Sequence, residues 1–241
     1  MEASIEMSAT IAPSAASSAQ AGAPRIHAAG AGAVLFDPAA GTFSSEIQQR
    51  LQAVALRIAQ SVQNNTATDL VLGVNNLLFV FDPLECHPDE AANLLTALWE
   101  TTDAISEAVR ELEVPVIYGG AAGEDLPILA ASLSIDIEEY VRRHSEAIYS
   151  VACIGSMPGF AYMTGLPEEL AVPRRKVPRM KVGEGTVIIG GAQAGVMPCT
   201  APSGWHLLGR TDVKMFDPYR DRPCSFSPGD QVKFVVKGIE L

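Results

Sequence analysis

Hydrophobic and polar positions alternate along this chain with two different textures, and the change between them falls near its middle. Ala33, Val34, Leu35 and Phe36 make a short apolar run that ends at Asp37-Pro38, the pattern of a strand closed by a turn. Ser45 with Gln48 three residues later fits a capping box with Ser45 at the N-cap. Ile47, Leu51, Val54, Ile58 and Val62 follow at helical spacing and predict one buried face. Residues 69–74 and 77–81 are two β-rich runs joined by Asn75-Asn76, and Asn tolerates the positive φ of a tight hairpin. A second helix begins at Pro88, which suits a first helical turn, and sets Ala91, Leu94, Leu95 and Leu98 on one face. Its periodicity continues, with a break near Thr101-Thr102, to Leu112. Strand, helix, strand, strand, helix describes a small α+β sandwich with helices on one face of a sheet.

After Glu113 the segments shorten. Val114-Pro115-Val116-Ile117-Tyr118 is a strand closed by Gly119-Gly120. Two short helices are predicted near 125–133 and 136–144, the second with Ile137, Tyr140 and Val141 as its buried stripe. Strands are predicted at 148–154, 186–189, 205–208, 213–216 and 231–236, with Gly and Pro recurring between them. Ser227-Pro228-Gly229-Asp230 has Pro at i+1 and Gly at i+2, the type II preference. Many short strands with such turns point to a barrel or sandwich, and no internal repeat is visible. The fold class is therefore α+β, in three parts: an Ala/Ser-rich mobile tail over 1–30, an α+β domain over 31–113 and a β domain over 114–241.

Composition narrows the function. Hydrophobic residues are 48% of the 241, ample for buried cores, while the tail has too few bulky residues to offset its ordering entropy. The acidic start Met1-Glu2-Ala3 with no apolar block after it argues against a secretory signal. Basic residues number 17 and acidic ones 28, a net charge of −11, which argues against a nucleic-acid coat. No apolar run approaches the ~20 residues of a membrane helix, so no membrane partner is expected. Cys86, Cys153, Cys199 and Cys224 lie far apart with no C-x-x-C pair, which excludes a zinc ribbon and fits a reducing, cytoplasmic setting. No other grouping has metal-ligand spacing, so no metal site is expected.

Four features carry candidate chemistry. In Gly155-Ser156-Met157-Pro158-Gly159-Phe160-Ala161-Tyr162, Gly and Pro shape the backbone while Phe160 and Tyr162 supply stacking surface; a purely structural loop fits equally. Residues 173–181 hold five of the 17 basic residues, among them Arg174, Arg175 and Arg179. Arginine forks suit carboxylate or phosphate, and a solvated loop balancing an acidic surface is the alternative. Gly190-Gly191-Ala192-Gln193-Ala194-Gly195 follows a strand but is neither a dinucleotide fingerprint nor a Walker loop, and Gln193 either contacts a ligand amide or caps a turn. In 202–211, strand alternation sets His206, Leu208 and Arg210 on one face and Trp205 and Leu207 on the other; Arg210 either anchors an anion or pairs with Asp212. His144, at a helix end, reads as a dipole or cap residue. Ser203 beside Gly204 has no identifiable base, and there is no G-x-S-x-G elbow.

In order and spacing these pieces resemble the allophanate hydrolase subunit 1 family, which includes the B subunit of the bacterial ATP-dependent 5-oxoprolinase and the sporulation histidine-kinase inhibitor. The matching pieces are 114–120, Gly123-Glu124-Asp125-Leu126, His144, Pro158 to Tyr162, Pro173-Arg174-Arg175, Pro178-Arg179, 190–195, Gly204-Trp205, Gly209-Arg210-Thr211, Phe216-Asp217-Pro218 and Pro228-Gly229-Asp230. The N-terminal part matches more loosely, through Phe81-Asp82-Pro83. Ser156 stands where the family usually has an aromatic residue, and Ser203 where it has the first Gly of Pro-Gly-Gly-Trp.

The resemblance implies a cyclophilin-like β-barrel over 114–241, though the barrel does not imply prolyl isomerisation. It implies ATP-coupled hydrolysis of 5-oxo-L-proline to L-glutamate, with ATP as cofactor and Mg2+ as the ion accompanying it in the complex. It also implies a cyclophilin-like partner of the C-subunit or subunit-2 type, and a third subunit. The substrate-binding candidates are Arg174, Arg175, Arg179 and Arg210 as cations, Gln193 as a donor, Phe160, Tyr162 and Trp205 as walls, and His144. No catalytic residue is assigned. The competing expectations are a non-catalytic inhibitor of a histidine kinase and an allophanate hydrolase subunit.

Overall fold

The structure is a computed structural model that describes residues 24–39, 43–61, 67–104 and 110–240. The elements are β1 (Arg25–Ala28), β2 (Ala33–Asp37), α1 (Ser45–Ser61), β3 (Ala67–Leu72), β4 (Leu77–Phe81), α2 (Pro88–Thr101), β5 (Glu111–Gly119), α3 (Leu126–Ser132), α4 (Ile137–Glu146), β6 (Tyr149–Ile154), β7 (Ala161–Thr164), β8 (Arg179–Val182), β9 (Thr186–Gly190), β10 (Gln193–Val196), β11 (Ala201–Ser203), β12 (His206–Arg210) and β13 (Gln231–Glu240).

The first four strands form an antiparallel sheet in the order β1-β2-β4-β3. Alternate residues of β4, Leu77, Phe79 and Phe81, face a core shared with Leu51, Val54 and Ile58 of α1 and Leu95 and Trp99 of α2. The Asn75 turn has the expected positive φ, 58°. Val62 and residues 1–23 of the tail lie outside the described residues.

Three expectations for this half are corrected. The tail does not extend to residue 30, because Arg25–Ala28 pairs along β2 and an Arg25–Asp37 ion pair of 2.5 Å fastens its end. The N-cap of α1 is Ser44, whose Oγ accepts from Ile47 N at 3.3 Å, rather than Ser45. Leu112 belongs to β5 rather than to a continued helix, residues 105–109 lie outside the described residues, and the second helix ends at Thr101, at the expected break. There Thr102 is extended, and Arg50 and Arg57 of α1 donate to the last carbonyls: Arg50 Nε to Thr102 O at 2.7 Å and Arg57 Nη1 to Thr101 O at 3.0 Å.

All the later strands except β8 and β11 close a seven-stranded barrel in the order β10-β7-β6-β13-β5-β12-β9. The pair β5–β13 is parallel and every other neighbouring pair antiparallel. The barrel begins at Glu111 of β5, three residues before the expected boundary at 114, since Gln231 already pairs with Glu111. Its core joins Val116, Tyr118, Tyr149, Val187, Ile189, Leu208 and Phe234 with Leu126 of α3 and Tyr140 of α4. The Ser227 turn closes as expected, with Asp230 N donating to Ser227 O at 3.1 Å and Gly229 at φ 93°. Residues 213–216 form no strand: Phe216 makes an isolated bridge to Cys224, and Ser225 N bonds Met215 O at 2.9 Å.

One feature of the barrel wall positions the site. All five residues of β9 are buried, because Val187 and Ile189 face the barrel core while Ile188 faces a separate cluster outside it. That outer cluster unites Phe160, Val182, Ile188, Met197, Trp205 and Leu207 under the two-stranded ribbon β8–β11. β12 carries a register shift between Leu207 and Gly209. As the alternation predicts, Leu207 packs with Trp205 in the outer cluster and its neighbour Leu208 in the core. Gln48 of α1 spans the gap between the sheet and the barrel, donating from Nε2 to Ala152 O at 2.8 Å and accepting from Asn75 N at 2.6 Å.

Candidate functional site

Above the outer cluster, between the 155–160 turn, the 173–178 loop and the 202–205 segment, lies a cleft of about 290 Å3. Its floor is aromatic. Phe160 and Tyr162 meet edge to face with centroids 4.9 Å apart, and Phe160 and Trp205 do so at 5.6 Å. The turn that carries Phe160 is closed by Gly155 N to Phe160 O at 3.0 Å and Phe160 N to Met157 O at 3.1 Å. It places Ser156 at the cleft with φ 70°, a left-handed conformation that Ser rarely adopts.

The opposite wall is cationic. Arg174 and Arg175 line the cleft, and the Arg174 guanidinium carbon sits 5.2 Å from the Trp205 ring centroid, within cation–π range. Their loop is held by Arg175 N to Gly204 O at 2.7 Å and by His206 Nε2 to Pro173 O at 3.0 Å. Behind the wall stands Asp125, just before α3, its side chain only 6% exposed. Its Oδ1 accepts from Arg175 Nη1 at 3.2 Å and Arg179 Nη2 at 2.8 Å, and its Oδ2 accepts from Leu207 N at 2.8 Å. Burial pushes the Asp125 carboxyl up, but the Arg179 and Leu207 hydrogen bonds and the two guanidinium charges outweigh it. The carboxyl is left below its ordinary value and charged at neutral pH.

Of the substrate-binding candidates, Phe160, Tyr162, Arg174, Arg175 and Trp205 come together here. The other four do not. Arg179 is engaged in scaffolding, its Nε on Glu124 Oε1 at 2.5 Å and its Nη2 on Asp125. Gln193 opens β10 beside Gly190 and does not line the cleft. Arg210 lines a different hollow of about 200 Å3 with Pro115, Ile117 and Lys237. Its partner there is Glu240 at 3.2 Å, while the expected partner Asp212 faces Lys237 at 3.7 Å. His144 is fully buried among Tyr118, Tyr149 and Phe234, so it is a core residue rather than a cap or a ligand contact. Its Nδ1 shares a 2.9 Å hydrogen bond with Tyr118 Oη, and burial pushes its pKa down to about 3, so the ring is neutral. The sequence pattern does not single out Asp125, because an Asp before Leu-Pro at a helix start reads as an ordinary N-cap. Its side chain makes no cap hydrogen bond.

Arg174 and Arg175 give the cleft wall the cations that a carboxylate or similar anion would need, and Arg175 Nε and Arg179 Nη1 are buried without a hydrogen-bond partner among the described residues. Among the described residues none of these features fits a Mg2+-nucleotide. The Gly190 hairpin is no phosphate cradle, since the Trp205 ring packs on it. Among the described residues no group of His, Cys, Asp and Glu has the arrangement to hold a metal ion, and no helix is long and apolar enough to cross a membrane.

Residues 24–226 match the family described as carboxyltransferase domain, subdomain C and D. The 5-oxoprolinase B subunit of Haemophilus influenzae is 42% identical over 198 residues, 82% of this chain and 92% of that protein. The 5-oxoprolinase B subunit of Escherichia coli O157:H7 is 39% identical over 188 residues, 78% and 85% of the two chains. The crystal structure of TTHA0988 superposes on 85% of this chain with a TM-score of 0.74 at 29% identity, and this chain spans 39% of that one. The K. lactis urea amidolyase superposes on 89% of this chain and 15% of its own, with a TM-score of 0.75 at 18% identity, a likeness of fold alone.

Proposed function

The chain belongs to the carboxyltransferase-domain family, subdomains C and D, and from that premise we propose that it serves as the B subunit of a 5-oxoprolinase complex, hydrolysing 5-oxo-L-proline to L-glutamate at the expense of ATP. The observation that carries this reading is the pairing of two facts. Relatives named as the 5-oxoprolinase B subunit match at 39–42% identity over most of their length. The cleft in turn sets the cations Arg174 and Arg175 against an aromatic floor.

That combination suits the substrate. 5-Oxoproline is a small ring with an apolar methylene edge and one carboxylate. An arginine fork holds a carboxylate by charge-assisted hydrogen bonds, and the flat rings of Phe160, Tyr162 and Trp205 accept the ring edge. The lactam amide is unactivated, so its cleavage needs ATP. We assign nucleotide binding to the other subunits, a partner of the C-subunit type and a third chain, because no triphosphate site is formed among the described residues of this chain. The role of this chain is to bind and orient the substrate carboxylate and to shield the ring from water. The division into an N-terminal domain carrying the sheet and a barrel domain carrying the cleft is part of the same proposal.

The test is to co-express the chain with both other subunits and measure 5-oxo-L-proline-dependent ATP hydrolysis and glutamate release, with allophanate as the competing substrate. Turnover with 5-oxoproline supports the reading; turnover with allophanate alone, or inhibition of a histidine kinase by the chain without any turnover, overturns it.

A further inference from the structure

Both walls of the cleft are bolted to one carboxylate. Asp125 accepts from Arg175 and Arg179 on one oxygen and from the backbone N–H of Leu207 on the other. Arg175 belongs to the cationic wall. Leu207 lies two residues beyond Trp205, at the register shift of β12, and packs in the same outer cluster as the indole. Asp125 thus holds the distance between the guanidinium that would grip an anion and the ring that would bear the rest of the ligand.

Three details set this carboxylate apart from an ordinary structural ion pair. First, it stands at the N-cap position of α3 yet gives its own helix no side-chain hydrogen bond, so its acceptors are committed to the cleft walls. Second, the backbone around it has no slack. Gly123, in the one-turn 3-10 helix Gly120–Gly123, lies so close to β12 that an added Cβ would be 2.4 Å from Leu208 O. Third, the charge is divided unequally. Glu124 adds a second carboxylate to Arg179, whereas Arg175 meets Asp125 through Nη1 alone; each keeps one buried donor, Arg179 Nη1 and Arg175 Nε, without a hydrogen-bond partner among the described residues. Arg179 is the fastener, and of the two only Arg175 lines the cleft.

We infer that Asp125 is a positioning residue of this site: without touching the ligand, it orients the Arg175 fork against the Trp205 ring so that a bound carboxylate presents its ring in one pose. The inference rests on the subunit reading above. It follows that loss of Asp125 leaves the cations in the cleft wall and frees their charge but no longer fixes the direction of the Arg175 fork, so an anion still binds while its orientation is lost. Such a change lowers kcat without raising KM. A merely structural carboxylate would instead lower the melting temperature and the yield of assembled complex, with kcat per complex intact.

The experiment compares Asp125→Asn, Asp125→Glu and the natural chain, each in the reconstituted three-subunit complex. It reads the melting temperature, complex assembly, and kcat and KM for 5-oxo-L-proline. In parallel, NMR of the single chain follows solvent exchange of the Arg175 Nε–H, the Leu207 amide and the Trp205 indole N–H. The expected result is a kcat at least tenfold lower in Asp125→Asn, a KM within about threefold, partial recovery in Asp125→Glu, and faster exchange at all three N–H groups. A kcat per assembled complex equal to that of the natural chain overturns the inference. If Asp125→Asn does not fold, Asp125→Glu is read by the same criteria. If the natural complex itself shows no 5-oxoproline turnover, the subunit reading falls. The exchange data then decide the positioning claim alone, and unchanged exchange at Arg175 and Trp205 in the variants overturns it.

Discussion

The indole of Trp205 rests on the α-carbon of Gly190, so closely that a β-carbon there would stand 2.8 Å from ring atom Cδ2. The glycine-rich hairpin between β9 and β10 is thereby explained as a seat for an aromatic side chain. Gly190→Ala should push the ring off its seat and cost about 1–3 kcal/mol, the range for an overpacked interior. The melting temperature and the tryptophan emission maximum measure it: a lower melting point with red-shifted emission is expected, and no change in either would contradict the packing.

Gln48 joins the N-terminal sheet to the barrel through Ala152 O and Asn75 N. Gln48→Ala leaves a buried carbonyl and a buried N–H without their partner, at a cost of about 1–3 kcal/mol each when unsatisfied. Chemical denaturation should show the loss, together with easier proteolysis between α2 and β5 if the barrel and sheet then separate. Unaltered stability would mean that water replaces the amide.

His144 gives the fold a pH dependence whose sign is fixed by its burial. Its folded pKa of about 3 lies below the ordinary value of 6.5. Between those values the unfolded chain binds the proton and the folded chain does not. The contribution of His144 to stability is therefore complete above about pH 6.5 and is lost as pH falls toward 3, by up to roughly 1.4 kcal/mol per unit. Melting curves at pH 7 and pH 5 should differ less in His144→Phe than in the natural chain. An equal difference in both would contradict a neutral, buried imidazole.

Arg175 and Arg210 look alike in the sequence, and the fold separates them. Arg175→Ala should lower turnover of the complex by about tenfold or more, since a charge-assisted hydrogen bond contributes roughly 1.5–3 kcal/mol. Arg175→Lys should recover part of it, because a point charge lacks the planar fork. Arg210→Ala, in the other hollow and paired with Glu240, should change turnover little. Steady-state rates, with assembly checked by gel filtration, separate these outcomes. Retained activity in Arg175→Ala would remove Arg175 from the site.

How much of the fold and site is legible in the sequence depends on whether a property is local. The periodicity of Leu51, Val54 and Ile58 and the turn chemistry of Asn75 and Gly229 act over a few residues, and the helices and turns they predict are present. The aromatic and arginine runs likewise announce the two walls of the cleft. The N-cap of α1, misplaced by one residue, is a local misreading. Other misreadings depend on distant partners. Arg25–Ala28 looks like tail until Asp37 and β2 are beside it. Arg210 pairs with Glu240, 30 residues away, rather than with nearby Asp212. Asp125, named in the sequence only within the Gly123-Glu124-Asp125-Leu126 step, gains a role when Arg175, Arg179 and Leu207 are brought to it across 50 to 82 residues of chain. The alternation of β12 is local and correctly sends Trp205 and Leu207 to one side and Leu208 to the other, whereas the register shift between Leu207 and Gly209 depends on pairing with β9 and has no local signal.

The decisive measurement is ATP hydrolysis by the reconstituted three-subunit complex, with and without 5-oxo-L-proline, alongside the single chain. The complex should show 5-oxoproline-dependent ATP hydrolysis with matching glutamate release. This chain alone should show none, because no complete set of nucleophile, base and oxyanion donors comes together among its described residues. A complex that assembles fully yet hydrolyses no ATP in response to 5-oxo-L-proline would contradict the proposed role, as would robust turnover by the isolated chain.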